Sequence, residues 1–205
     1  MSVVVLISGR GSNLDAILTA RLPVCGVISN RAEAQGLEIA ARHGVPTRVV
    51  EHREYPSREA FEAALGSEID GFSPRLVALA GFMRILTAGF VGRYPGRLVN
   101  IHPSLLPAFP GLDTHARALA AGVKVHGCTV HFVTADLDHG PIIVQAAVPV
   151  RPADTPQTLA ARVLRQEHQV FPAAIRWFLE ERLVIENGVV RNLANDAQLV
   201  CSDRE

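Results

Sequence analysis

Residues 3–29 read VVVLISGRGSNLDAILTARLPVCGVIS, and this stretch decides the fold. Val3 to Ser8 is an unbroken aliphatic run without polar alternation, the pattern of a strand covered on both faces. A glycine turn follows at Gly9-Arg-Gly11, then a helical segment from Asn13 to Ala20, then a second strand from Val24 to Ser29. A strand, a turn, a helix and a strand in so short a span make one βαβ unit. The alternation continues with a helix over Ala34 to His43, stopped by Gly44 and Pro46. Thr47 to Val50 is a third strand, Arg58 to Ile69 a third helix and Leu76 to Ala80 a fourth strand. The expected fold is α/β and Rossmann-like, a mainly parallel twisted sheet flanked by helices.

The second half changes character. Leu98 to Ile101 is a short strand that runs into His102 to Gly111, where Pro103, Pro107 and Pro110 exclude regular helix and central strand. This stretch is therefore a loop, ordered or mobile. Val125 to Thr134 and Ile142 to Val150 read as longer strands joined through Asp136-Leu-Asp-His-Gly-Pro141. Thr155-Pro156 offers a cap and a first-turn proline for a helix to about Glu181, which Pro172 is expected to kink. Leu183 to Val190, with Glu186-Asn187-Gly188, resembles a small hairpin. No internal repeat, linker or domain boundary interrupts the chain, so one domain over 1–205 is expected.

The 205 residues are 48% hydrophobic and 20% charged, with twenty basic and twenty acidic side chains. Mean hydropathy is +0.20 and the pI about 7.1. A net charge of zero argues against a general nucleic-acid or anionic-membrane surface. The longest apolar run, Pro141 to Val150, is broken by Gln145 and too short to span a bilayer. The chain starts directly on a strand-like segment, so no signal peptide is expected. Cys25, Cys128 and Cys201 are odd in number and far apart, which fits free thiols and a cytoplasmic protein.

Three segments hold residues suited to chemistry. Ser8-Gly-Arg-Gly-Ser-Asn-Leu14 places glycines and hydrogen-bond donors at a helix start, where free N–H groups attract an anion. Leu14 occupies the third glycine position of a dinucleotide fingerprint and no Walker lysine is present, so a mononucleotide phosphate loop fits better than NAD binding. The same pattern also suits a plain structural turn. Asn100-Ile-His-Pro-Ser-Leu-Leu-Pro107 ends a strand, and alternation puts Asn100 and His102 on one side, where an amide and an imidazole can converge on one group. The competing reading is a buried histidine beside an asparagine turn. Asp138 lies in a glycine-containing turn, where carboxylates usually cap backbone N–H groups, with His139 solvated beside it. His126 and His131 are five apart on a strand and so face opposite ways, which disfavours a shared metal; none of the eight histidines has zinc spacing. No metal is expected. Cys128 reads as core, and no GxSxG elbow supports a serine hydrolase.

Together the segments VVLISGRGSNLDAI, LAGFMRIL, NIHPSLLPAFPGLDTH, HGCTVHFVTADLDHGPII and QEHQVFP resemble the folate-dependent formyltransferases over essentially the whole chain. The HPSLLP and LDxGPI segments are shared across that superfamily, and the GRGSNL loop narrows the resemblance to its glycinamide ribonucleotide branch. The resemblance implies a formyltransferase fold and 10-formyltetrahydrofolate as co-substrate. By position it implies a catalytic trio of Asn100, His102 and Asp138. Gly11, Ser12 and Asn13 would take the ribonucleotide phosphate with Arg58 as an added cation, and Glu167 would lie near the acceptor amine. Met83, Arg84, Ile85 and Leu86 would line the pterin pocket, with Asn100 and the Ala135, Asp136 and Asp138 loop closing it. In this division residues to about 100 serve the ribonucleotide, and about 101–190 complete the folate and catalytic site. Ala108, Asp113 and Leu164 depart from the residues relatives often carry, which bears on loop contacts and acceptor affinity.

The implied reaction is attack of the acceptor amine on the formyl carbon. Asn100 and protonated His102 would meet the oxyanion, and Asp138 would hold the imidazolium and relay protons through water. The implied partners are glycinamide ribonucleotide and a reduced folate, with no nucleic acid and no membrane; a homodimer is compatible but no interface is legible. The alternatives are a formyltetrahydrofolate hydrolase, expected to carry an extra N-terminal domain, and a binding module that kept the fold without turnover. A methionyl-tRNA formyltransferase would be expected to carry a C-terminal extension.

Overall fold

A computed structural model describes residues 2–201. The chain forms two compact units, Met1–Asn100 and Ile101–Glu205.

The first unit repeats the strand–helix pattern. Strands β1 (Val3–Ile7), β2 (Val24–Ser29), β3 (Thr47–Val49), β4 (Leu76–Leu79) and β5 (Leu98–His102, continuing into the second unit) stand in the order β3-β2-β1-β4-β5. Every pairing among them is parallel. Helices α1 (Ser12–Thr19), α2 (Gly36–Arg42), α3 (Arg58–Gly71) and α4 (Ala88–Arg93) make the crossovers that parallel pairing requires. All five β1 residues are fully buried, which explains their unbroken apolar character. Each such side chain contributes about 1.5–3 kcal/mol relative to exposure. Leu14 and Ile17 of α1 and Phe61, Leu65 and Ile69 of α3 are buried on the helix side.

The order β2-β1-β4 contains a reversal point. From β1 the chain builds outward through β2 and β3, then returns to start again at β4. Outside the carboxyl ends of two such strands, connections leave in opposite directions and open a crevice. The segments that emerge there are Ser8–Gly11 after β1 and Ala80–Thr87 after β4.

The second unit holds α5 (Thr114–Ala120), β6 (Val125–Phe132), β7 (Ile142–Pro149), α6 (Pro156–Leu179), the hairpin β8 (Leu183–Glu186) and β9 (Val189–Asn192), and β10 (Leu199–Cys201). β6 and β7 pair antiparallel with an irregularity at Val130/His131, and β10 lies parallel to β7. Thr155 and Thr158 form a reciprocal capping box at the start of α6, with Pro156 in its first turn. The helix continues through Pro172 to Leu179, and Leu159, Val163, Val170, Phe171, Ala174 and Ile175 bury one face. Arg162, buried on the same helix, makes two bonds to Asp154 at 2.7 and 2.8 Å and one to the Pro149 carbonyl at 2.9 Å. Asn187 and Gly188, at φ 52° and 79°, turn the hairpin as a two-residue loop with both residues left-handed. Helices α4 and α5 and strand β10 were not expected from the sequence; each is three to seven residues long.

Candidate active site

His102 ends β5, two residues after Asn100, so strand alternation sends both side chains to one face. In the second unit His102 is buried, with Nδ1 3.5 Å from Asp138 Oδ2 and Nε2 3.1 Å from the Phe109 carbonyl. Both ring nitrogens thus face oxygen acceptors.

The HPSLLP stretch is a loop held by side-chain hydrogen bonds. Ser104 Oγ donates to the Ala108 carbonyl at 2.6 Å, and Thr129 Oγ1 donates to the Ser104 carbonyl at 2.7 Å. Leu106 N–H donates to Thr129 Oγ1 at 3.0 Å, Gln145 Nε2 to the Leu106 carbonyl at 2.8 Å, and Thr114 Oγ1 to the Pro103 carbonyl at 2.6 Å. These bonds aim the Phe109 carbonyl at His102.

Asp138 is more than a turn cap. Its side chain is 8% exposed, and Oδ2 accepts from Gly111 N–H at 2.8 Å while facing His102. Its Oδ1 lies 3.9 Å from His131 Nε2. The backbone at Asp138 is left-handed, φ 56°, a conformation Asp tolerates better than most side chains and one that gathers at functional sites. Gly140 is required beside it, because a Cβ there would meet the Phe132 carbonyl oxygen at 1.6 Å. Ala135, Asp136 and His139 of the same loop are exposed.

His131 was missed as a member of this cluster. It shares strand parity with Thr129, but that parity alone could not show which loop it faces. Its Nδ1 bonds the Phe132 carbonyl at 2.9 Å. Burial pushes its pKa down, against smaller opposing effects of that carbonyl and of Asp138. His126 pairs with His115 through Nε2 and Nδ1 at 3.2 Å, and its ring lies edge-on to Phe109 at 6.0 Å between centroids. Burial, then the neighbouring histidine, brings the His126 pKa down to about 4. Glu167, on the buried face of α6, lies close enough to Cys128 that its charge adds to burial in raising that thiol's pKa.

The remaining candidates lie in the first unit. Gly11 caps α1 with φ 79°, and a Cβ on it would meet the Gly36 Cα at 2.5 Å. Glycine is thus required twice over, by backbone conformation and by close approach. No side chain caps this helix at Gly11. Arg58 opens α3 and is exposed. After β4, Met83 and Ile85 are 62% and 57% exposed, Arg84 is partly exposed and Leu86 is buried.

Comparison with known proteins shows the family. A formyl transferase family model matches residues 1–175. The chain belongs to that family. It is 51% identical over 189 residues to the phosphoribosylglycinamide formyltransferase of Escherichia coli (strain K12), covering 89% of each chain. It is 50% identical over 197 residues to the human trifunctional purine biosynthetic protein adenosine-3, which covers 92% of this chain but only 19% of that longer protein. Among solved structures, glycinamide ribonucleotide transformylase 1 from Symbiobacterium toebii superposes with a TM-score of 0.92 at 53% identity, covering 94% of each chain. Phosphoribosylglycinamide formyltransferase from Anaplasma phagocytophilum gives 0.94 at 41% identity over 99% of each. The expected α/β fold with a mostly parallel sheet is therefore the family's own.

Proposed function

We propose that this chain transfers the formyl group of 10-formyltetrahydrofolate to the amine of glycinamide ribonucleotide, giving formylglycinamide ribonucleotide and tetrahydrofolate. The observation that carries the reading is a buried carboxylate, Asp138, set against His102 at 3.5 Å on the strand that also bears Asn100. A module that only binds folate or nucleotide has no need of a buried imidazole–carboxylate pair beside an amide. Relatives of near-equal length that carry the formyltransferase name support the same reading.

In this mechanism the acceptor nitrogen attacks the formyl carbon and the carbonyl electrons move to oxygen. Asn100 donates to that oxyanion, a contribution worth about 3 kcal/mol for one well-placed donor. His102 joins it by exchanging the Phe109 carbonyl for the oxyanion. Asp138 stabilises the imidazolium, and its other oxygen lies 3.9 Å from His131 Nε2. A proton leaves the acceptor nitrogen, another reaches N10 of the folate, and the C–N10 bond breaks as the new C–N bond keeps the formyl group.

Gly11, Ser12 and Asn13 take the ribonucleotide phosphate on the uncapped start of α1, with Arg58 supplying a cation, and Glu167 faces the acceptor amine. Met83, Arg84, Ile85, Leu86 and Asn100 of the first unit are assigned to the pterin, as is the Ala135, Asp136 and Asp138 loop of the second. Both substrates are small molecules, and neither nucleic acid nor membrane takes part; among the described residues no helix is long and apolar enough to cross a membrane. Three free cysteines fit the cytoplasm, and a homodimer is compatible with this scheme.

The test is the absorbance change on loss of 10-formyltetrahydrofolate with and without glycinamide ribonucleotide. Loss that requires the ribonucleotide supports the transferase. Loss indifferent to it would make the chain a hydrolase, and binding without loss would make it a binding module.

A further inference from the structure

The stretch between Leu79, the end of β4, and Ala88, the start of α4, has no regular structure, so its amides need partners outside any ladder. Ala80 N–H still reaches the Leu6 carbonyl at 2.9 Å. Beyond it, two buried side chains take over. Met83 N–H donates to Ser8 Oγ at 2.8 Å, and the Ser8 hydroxyl donates to Asn30 Oδ1 at 2.6 Å. Ser8 is 4% and Asn30 2% exposed. At the far end Thr87 N–H donates to Glu62 Oε1 at 2.8 Å, and the Thr87 hydroxyl donates to Glu62 Oε2. Glu62 is itself only 5% exposed. Between these two anchors the backbone presents Met83 and Ile85 to solvent. Two large apolar side chains held in water on an anchored backbone form a ready surface for a flat ring.

We propose that Ser8 and Glu62 are positioning residues for the folate donor, holding opposite ends of Met83–Leu86 in the conformation that receives the pterin. The inference rests on the reading of that segment as donor-binding. Neither side chain touches the reacting atoms; each acts through a backbone amide. Losing the Ser8 hydroxyl leaves the Met83 N–H without its acceptor and frees the segment, and donor binding must then reorder it. The acceptor loop is held separately, by Gly36 N–H to the Gly9 carbonyl at 3.0 Å and Asp15 N–H to the Gly11 carbonyl at 2.9 Å.

The experiment varies both substrates with wild type, Ser8→Ala and Glu62→Gln, and measures tetrahydrofolate binding by calorimetry. For Ser8→Ala, the donor KM and the tetrahydrofolate Kd are expected to rise about tenfold, while kcat and the ribonucleotide KM stay within about threefold. Glu62→Gln keeps one oxygen for Thr87 N–H but loses the acceptor for its hydroxyl, so a rise of about threefold in the same two constants is expected. That variant carries the test if Ser8→Ala does not fold. Unchanged donor constants in a folded variant, equal rises for both substrates, or a collapse of kcat alone would each overturn the inference. A wild-type protein that transfers no formyl group would overturn the proposed function and this inference with it; a competent wild type with an indifferent Ser8→Ala overturns this inference only.

Discussion

Asp138→Asn separates charge from shape at the centre of the proposed site. The amide is the same size, and its oxygen can still accept from Gly111 N–H, so the turn should survive. Its NH2 would then face His102 Nδ1, which must become an acceptor, while Nε2 keeps its proton for the Phe109 carbonyl. The ring is thereby held neutral. At 3.5 Å and an effective dielectric of about 20, the lost attraction between carboxylate and imidazolium is about 5 kcal/mol. Desolvation of the pair makes this an upper limit, equivalent to about three and a half powers of ten in rate. General acid–base catalysis by a positioned group spans about 10²–10⁴-fold, which agrees. The expected result is a kcat lower by about 10³, with both KM values nearly unchanged, measured by the folate absorbance assay on protein whose circular dichroism and melting match wild type. A folded variant that keeps kcat within tenfold would refute the charge argument and the role given to Asp138.

Three further outcomes follow from the geometry. Gly11→Ala forces a Cβ onto the Gly36 backbone at a left-handed position, so urea denaturation should show a loss of more than about 1 kcal/mol and the ribonucleotide KM should rise by at least about tenfold. Asp154→Ala strands the buried Arg162 and should cost about 3–5 kcal/mol in the same measurement, with kcat per folded molecule preserved. Burial holds His126 and His115 below the usual histidine pKa, so the unfolded chain takes up protons before the folded one does. The stability this pair permits is full above about pH 6.5 and falls as pH drops toward about 4; denaturation midpoints across that range should decline less steeply in His126→Gln than in wild type.

Much of the first unit was legible because its strands are covered on both faces. Burial on both sides demands apolar residues at every position, and Val3–Ile7 shows that demand without reference to any neighbour. The glycines of the first turn were legible for a similar reason, since φ 79° at Gly11 excludes most other residues. Short elements were not legible. Helix α4, Ala88–Arg93, carries two glycines in six residues and begins at a Thr87 whose backbone is held by Glu62 from another helix. Strand β10 spans three residues and takes its pairing from β7, more than fifty residues earlier. Elements stabilised mainly by distant partners leave little periodicity of their own to read.

The site divides in the same way. Residue types and order within Asn100-Ile-His102 and Leu137-Asp-His-Gly140 marked the candidate site, because an amide and an imidazole two apart on a strand must share a face. Tertiary structure alone decided what each atom meets. It set Asp138 between two histidines, one of them His131, and placed the Phe109 carbonyl on His102 Nε2. It also gave Ser8, which in sequence joins the apolar run to the glycine turn, a bond to Met83, a residue seventy-five positions away. The physical reason is that periodicity records which face a side chain occupies, whereas a hydrogen bond depends on which distant backbone folding brings within about 3 Å.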